Sequence, residues 1–322
     1  MSRRYIADFK EGELIDETFL VRSKELRDTR SGAQFIKAEL ADRTGSIQAN
    51  MWDATEQMFE SFQSNDFVKV RGRVEVYQGR QQLRIDAIRY LDESAVDFSE
   101  FVRSTSEDPE ELLERLRVAA GEIRDLNLRK LVMSFLEDES FVEKLKRTPA
   151  AVSYHHPFLG GLLEHTANVV KLADFISREY EFLNRDLMIA GAILHDLGKV
   201  EELAIDKSLR YTDRGELVGH VVLGALMVEE RARRIEGFPE ELLNIVEHMV
   251  VAHHGEREFG SPKVPLFPEA IALYTLDNLD AKIYGATSAI ERDTDASSSW
   301  TAWSKMLQRR LYKGTAEEPE EE

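Results

Sequence analysis

The sequence predicts a small closed β-barrel, a helical connector and an all-α domain in series: a multidomain β plus α chain. Three observations carry this reading. Apolar residues recur at every second position between about Glu13 and Asp92, and at helical spacing between about Ala151 and Ile290. The length of 322 residues suits about two domains at roughly 150 residues each.

In the first region Val68, Val70, Gly72, Val74 and Val76 alternate with Lys69, Arg71, Arg73 and Glu75, the signature of a half-buried strand. Ile47, Ala49 and Met51 alternate with Gln48, Asn50 and Trp52, and Leu83, Ile85 and Ala87 form a further run. Asp42-Arg43-Thr44-Gly45 and Tyr77-Gln78-Gly79-Arg80 have hairpin-turn chemistry. Ala54 to Phe62 reads as one inserted helix. Short antiparallel strands around a single helix favour a barrel over a sandwich, with bounds at residues 13–92. Residues 93–150 open acidic, then carry Leu112, Leu113, Leu116 and Ala119/Ala120, and Leu131, Phe135 and Leu136, at helical spacing. Two or three connecting helices are expected, with Asp108-Pro109 as a helix start. Residues 151–290 predict helices near 160–178, 186–197, 215–234, 239–253 and 267–284. Residues 291–322 end in Glu-Glu-Pro-Glu-Glu-Glu, expected as a solvated acidic tail.

Composition narrows the chemistry. Hydrophobic residues make up 43% and charged residues 32%, too apolar for wholesale disorder. Cysteine is absent, which excludes disulfides, thiolate metal sites and cysteine nucleophiles. The start has no apolar signal region, and no window approaches about 18 uninterrupted apolar residues. A cytoplasmic protein with no membrane partner is expected. The net charge of −18 argues against indiscriminate coating of nucleic acid, yet permits a local basic groove.

The histidines gather on the helical region. His155, His156, His165, His195-Asp196, His220 and His253-His254, with Asp277 and Asp280, lie in or beside its helices. An imidazole in an apolar setting loses hydration unless something binds it. A cysteine-free nitrogen and oxygen set suits manganese, iron, cobalt, nickel or zinc. Gly198, just after His195-Asp196, is expected to let the chain turn. His248 stands outside the pattern and reads as an ordinary helix residue.

These motifs resemble the HD-domain phosphohydrolase superfamily. They are Gly160-Gly161-Leu162-Leu163-Glu164-His165-Thr166, Ile193 to Lys199 around His195-Asp196, His220, His253-His254-Gly255, and Leu276 to Lys282 around Asp277 and Asp280. The order is that of the branch with two metals. The His155-His156 pair and the Gly215 to His220 run are similar to the YhaM-type 3′→5′ exoribonucleases, whose N-terminal OB-fold matches the expected barrel. The resemblance covers roughly residues 13–290, with no departure at a principal motif position. It implies that His165, His195, Asp196 and Asp277 hold one metal. His220, His253 and His254 hold a second, Asp196 bridges, and Asp280 stands behind Asp277. Two divalent ions, manganese foremost and cobalt, iron, nickel or zinc as alternatives, would sit about 3.5–4 Å apart and activate a water against phosphorus. Lys199 is expected to clamp a phosphate or assist the leaving oxygen, with ordinary helix-end charge the alternative. His156 joins Asp196 and Lys199 as a catalytic candidate. His155, Asp280, Arg210 and Arg214 are candidate substrate contacts.

On the barrel, six basic side chains oppose two acidic ones between Val68 and Tyr90, a balance of +4. Arg71, Arg73 and Arg84 on the wet face are where a phosphate backbone would lie, and Phe35, Trp52 and Tyr77 are candidates for base stacking. The function expected is a metal-dependent 3′→5′ exoribonuclease acting on single-stranded RNA, with single-stranded DNA a second candidate substrate and self-association left open. The alternatives are a phosphodiesterase or phosphatase for a small or cyclic nucleotide and a non-catalytic RNA-binding adaptor.

Overall fold

The computed structural model describes residues 3–314 except 30–31, 78, 98–99, 103, 152–155, 157, 206–208, 294 and 296–297. His155, Gln78 of the second hairpin turn and the acidic tail therefore lie outside the described residues. The chain divides into two compact units, Met1–Ser104 and Thr105 onward.

The first unit is a closed five-stranded barrel of order β1-β2-β3-β5-β4, formed by β1 (Leu14–Asp28), β2 (Gln34–Asp42), β3 (Gly45–Trp52), β4 (Phe67–Tyr77) and β5 (Arg80–Leu91). Arg43-Thr44 closes the β2–β3 hairpin, with Asp42 opposite Gly45. The inserted helix α1 is shorter than expected, Glu56–Glu60, and is capped by Thr55. The strands are not all antiparallel. β3 pairs with β5 in parallel, through Gln48, Ala49 and Asn50 against Gln82, Leu83 and Arg84. That pairing closes the barrel, so no strand edge is left open there. β1 is long, 15 residues, and a register shift at Val21/Ser23 lets it bend from β4 onto β2. The alternation holds through the middle of the strands, with Val68, Val70, Val74, Leu83 and Ile85 buried and Arg71 and Arg73 exposed, but Val76 at the end of β4 and Ala87 in β5 are exposed.

The second unit is helical: α2 (Pro109–Gly121), α3 (Leu126–Leu136), α4 (Glu139–Leu145), α5 (Gly161–Glu179), α6 (Arg185–Leu194), α7 (Lys199–Glu202), α8 (Asp213–Val218), α9 (His220–Arg233), α10 (Glu240–Ala252) and α11 (Pro268–Glu291). A two-stranded ribbon, β6 (Leu203–Ile205) and β7 (Leu209–Tyr211), lies between α7 and α8. Asp108 caps α2 by accepting from Glu110 N at 2.9 Å. The segment expected as a connector is divided between the units. Residues up to 104 go with the barrel, while Leu112, Leu116, Leu131 and Phe135 enter one core with Leu162, Val169, Ile193, Val246 and Leu273. An apolar stripe must be covered, and α5 and α6 cover this one. None of the helices is long and apolar enough to cross a membrane among the described residues.

Two glycines set the path near the histidines. The single helix expected over 215–234 breaks at Gly219, whose φ of +76° no β-carbon-bearing residue adopts easily, so His220 begins α9. The chain does turn over residues 195–198, but Gly198 has a φ of −60°, which any residue adopts, so the turn itself does not require glycine. Glycine is needed for close approach: a β-carbon there would lie 2.0 Å from His220 O and 2.6 Å from Gly224 N. The expected result for Gly198→Ala is an overpacked α7–α9 contact, costing about 1–3 kcal/mol in urea unfolding. An unchanged unfolding midpoint would show that α9 is free to shift.

Candidate metal centre

Five helices bring the histidines and aspartates of the motifs to one place. His165 sits one turn into α5. His195 caps the C-terminus of α6, donating its N–H to Gly191 O at 2.9 Å, and Asp196 follows it. His220 opens α9, His253 ends α10 with His254 next, and Asp277 and Asp280 lie one turn apart on α11. Helix ends present His195, Asp196, His220, His253 and His254, while His165, Asp277 and Asp280 project from within α5 and α11.

The ligand atoms of His165, His195, Asp196 and Asp277 lie within 4.8 Å of one another, as do those of His220, His253 and His254. Asp196 faces both groups. Its Oδ2 is 3.4 Å from His195 Nε2 and 3.7 Å from His165 Nε2, while Oδ1 is 3.4 Å from His253 Nε2 and 3.6 Å from His220 Nε2. Asp277 Oδ1 lies 3.1 Å from His165 Nε2.

The imidazoles are all gripped from behind. His195 Nδ1 donates to Ala192 O at 2.9 Å, His253 Nδ1 to Val250 O at 2.6 Å and His254 Nδ1 to Phe259 O at 2.9 Å. His220 Nδ1 donates to Glu202 Oε1 at 2.9 Å, and His165 Nδ1 to Asp280 Oδ2 at 2.7 Å. Carbonyls and carboxylates only accept, so each Nδ1 carries a proton and each ring turns its Nε2 into the cluster. The result is a pair of Nε2 atoms 3.3 Å apart (His165, His195) and a second pair 3.2 Å apart (His220, His254). Two lone pairs at that distance repel unless a proton or a cation lies between them. Asp196 Oδ1 and His253 Nε2 are buried without a hydrogen bond among the described residues. This donor set fits divalent cations in both groups.

Proton affinities divide the two groups. Burial opposes a charge on His165, but hydrogen bonds to Asp277 and Asp280 outweigh it and push its pKa up to about 9. Burial and the neighbouring His253 push His254 down to about 4, and burial lowers His253 despite Asp196. Burial disfavours ionised Asp196, yet the Lys199 charge and His195 hold its carboxyl well below the usual range. Asp277 is held low in the same way by His165 and His195.

Lys199 is buried and donates to Asp196 Oδ2 at 2.6 Å. His156, expected as a catalytic group, is only 1% exposed. Its Nδ1 is 3.3 Å from Glu164, its Nε2 3.3 Å from Asp280, and its ring stacks on Tyr284 at 4.0 Å. So enclosed, it acts on the cluster through Asp280 and His165. Asp280, expected among substrate contacts, is engaged with these two histidines. Arg210 on β7 and Arg214 on α8 are exposed on the chain leading to His220. Sequence reasoning assigned no role to Glu202, which also accepts the His220 N–H at 2.9 Å, or to Glu164. Glu164 stood inside a quoted motif; Glu202 carried no signal of its own.

On the barrel, Phe35 and Trp52 are cross-strand partners with rings stacked at 4.8 Å and 29°, and Trp52 is 48% exposed. Strand register then places Lys37, Asn50, Arg84 and Arg73 in one row, each opposite the next. Tyr77 is exposed at the end of β4, next to the hairpin turn. Arg71 is exposed as well, whereas Arg84 faces Glu75 at 3.5 Å and Asp86 at 3.6 Å.

Comparison with known proteins agrees with both geometries. Residues 162–282 match the HD domain family model, and residues 20–91 match the OB-fold nucleic acid binding domain model. The chain carries an N-terminal OB-fold and a C-terminal HD domain. An HD domain is a metal-dependent phosphohydrolase domain, and its pairing with an OB-fold supports a phosphohydrolase that acts on nucleic acid. Solved structures similar to this chain include a domain of replication protein A from Methanococcus maripaludis. It is 21% identical, covering 29% of this chain and 99% of that one, with a TM-score of 0.25. An OB domain from Thermoplasma acidophilum is 15% identical over 33% of this chain and 91% of that one, TM-score 0.22. A replication protein A heterotrimer bound to ssDNA is 20% identical over 29% of this chain and 68% of that one, TM-score 0.22.

Two outcomes follow for the centre. Asp196→Ala removes the carboxylate common to both groups. Bound metal and turnover should fall together while helical circular dichroism persists, and a metal-replete, fully active variant would refute a shared carboxylate. Below pH 9 a cation must displace the His165 proton, so affinity at that group should rise with pH, by up to about tenfold per unit, and level off above 9. A pH-independent affinity in calorimetric titration between pH 6 and 9 would contradict this.

Proposed function

We propose that the protein is a metal-dependent 3′→5′ exoribonuclease that removes nucleoside monophosphates from single-stranded RNA, with single-stranded DNA as a second substrate. The observation that carries the hydrolytic part is Asp196, whose two oxygens face two groups of inward Nε2 lone pairs. The 3′→5′ direction rests on the resemblance to the YhaM-type enzymes.

In this reading His165, His195, Asp196 and Asp277 hold one divalent ion and His220, His253, His254 and Asp196 a second, manganese being the first choice. Bound there, the ions supply Lewis acidity, lowering the pKa of a water and neutralising charge on phosphoryl oxygens. The protein's own part is orientation and charge. Asp280 and Glu202 keep the Nδ1 protons of His165 and His220 in place, so that both rings present Nε2. His156 and Glu164 brace Asp280 from behind. Lys199 holds Asp196 ionised until that oxygen finds another partner; its ammonium then becomes available to a phosphate. His155, Arg210 and Arg214 would meet the strand near the centre. The barrel grips bases on Phe35, Trp52 and Tyr77 and phosphates on Arg71, Arg73 and Arg84, a mode indifferent to sequence.

The test is incubation of 5′-labelled RNA with the protein and each divalent ion in turn. A ladder shortening from the 3′ end with release of mononucleotides is the expected result. Internal cuts, or hydrolysis confined to cyclic or small nucleotides, would replace this reading with an endonuclease or a nucleotide phosphodiesterase.

A further inference from the structure

Beyond α11 the chain folds back on itself. Thr301 N donates to Leu311 O at 2.9 Å, Ser304 N to Arg309 O at 2.9 Å and Lys313 N to Ser299 O at 2.8 Å, so residues 298–314 form an irregular hairpin. Trp300 faces Tyr312 across it, their rings 5.2 Å apart. The hairpin is fastened to the end of α11. Lys313 Nζ donates to Asp293 Oδ1 at 2.7 Å and Ala302 N to Asp293 Oδ2 at 3.0 Å. Met306 lies against Gly285, where a β-carbon would come within 3.0 Å of its sulfur. Gly285 is eight residues past Asp277 on the same helix, about 12 Å along its axis.

The composition of this hairpin is unlike that of the chain around it. Between Ser298 and Gly314 stand four basic side chains and no acidic one, in a protein of net charge −18. Lys313 is used in the fastening; Lys305, Arg309 and Arg310 are exposed and form no ion pair with a described carboxylate, although Arg309 Nε donates to Leu307 O at 2.8 Å and Arg310 Nε to Thr301 O at 3.0 Å. Trp300, Trp303 and Tyr312 are 47%, 63% and 53% exposed. Large aromatic faces left in water among cations whose charge no carboxylate neutralises mark a binding surface. Flat faces for bases interleaved with cations for phosphates suit a single strand, and the neighbouring centre is one that hydrolyses phosphate esters.

We propose that the 298–314 hairpin is a second grip for single-stranded nucleic acid, holding the stretch of strand next to the metal centre. This rests on the nucleic-acid reading above. The test uses the full-length, metal-loaded protein and a fluorescent phosphorothioate RNA of about 15 nucleotides, with anisotropy followed against salt. Replacing Lys305, Arg309 and Arg310 together by alanine should weaken binding about tenfold at about 0.1 M salt. It should also lower the slope of log affinity against log salt by about 2, since each phosphate contact on a single strand contributes about 0.7. Trp303→Ala should weaken binding by about five- to tenfold with the slope unchanged. The charge-keeping set Lys305→Arg, Arg309→Lys and Arg310→Lys should retain the slope, which a merely structural role would not require. Thermal unfolding checks that each variant is folded. If the wild type binds and the alanine set binds equally with the same slope, the hairpin inference fails and the phosphohydrolase reading stands. If the wild type binds no strand, that reading fails first. Loss of binding to phosphatidylserine vesicles, with RNA binding intact, would reassign the hairpin to a lipid surface.

Discussion

The helical unit is organised around an unfavourable arrangement: five imidazole Nε2 atoms and the oxygens of two aspartates held close together inside protein. Nitrogens 3.2–3.3 Å apart repel unless a proton or a cation lies between them, as buried carboxylates do, and a flexible scaffold would rotate the rings away. It cannot do so here, because each Nδ1 proton is tied to an acceptor. Three acceptors are main-chain carbonyls at or beside helix ends, Ala192, Val250 and Phe259, and two are carboxylates, Glu202 and Asp280. The packed core from Leu112 to Leu276 keeps those helix ends in place. Burial of apolar side chains thus offsets the electrostatic cost of a centre poised for cations.

Charge within the centre is distributed with the same logic. The group around His165 holds a proton at neutral pH, and Lys199 adds a second positive charge against Asp196. His253 and His254 have lowered proton affinities, so their nitrogens stand open. One group must exchange a proton for a cation, whereas these two histidines are already neutral. Asp196 couples the two, since whatever approaches one of its oxygens changes the field at the other. Its pairing with Lys199 keeps that shared carboxylate ionised in the interior.

Much of this was legible in the residues. Period-two alternation gave the barrel strands, and Asp42 to Gly45 gave a hairpin, because side-chain direction and turn sterics are local properties. The parallel β3–β5 closure was not legible, since pairing across 34 residues leaves no local mark. The histidine and aspartate motifs located the centre, and the pairing of Asp280 behind His165 follows from one-turn spacing on α11. What the sequence could not supply was partnership at a distance. Glu202 is an ordinary acidic residue until Gly219 breaks the helix and brings His220 onto it. Gly198 looked like a turn residue, yet its role is set by the approach of α9, a contact invisible along the chain. The apolar stripes of α2 and α3 looked like a connector because nothing local names the helices that cover them. Trp300, Trp303, Lys305, Arg309, Arg310 and Tyr312 were in plain view, but their interleaving gains meaning only where Met306 seats on Gly285.

Strong overall acidity and local basicity are complementary features. A chain at −18 repels a polyanion over most of its surface, so a strand is disfavoured wherever cations are not gathered. Cations are gathered on the outer face of the barrel, around Arg71 and Arg73, and on the 298–314 hairpin, each beside exposed aromatic rings. Elsewhere the acidic background discourages unproductive adsorption. The metal centre itself is lined with carboxylates and would repel phosphate were it not for the cations its geometry invites. On the proposed reading, entry of a scissile phosphate would depend on those ions being held by the histidines and aspartates, so binding and chemistry would be joined by charge. Flat aromatic faces do not discriminate among bases, so on the proposed reading a strand would be held by its backbone rather than by its sequence.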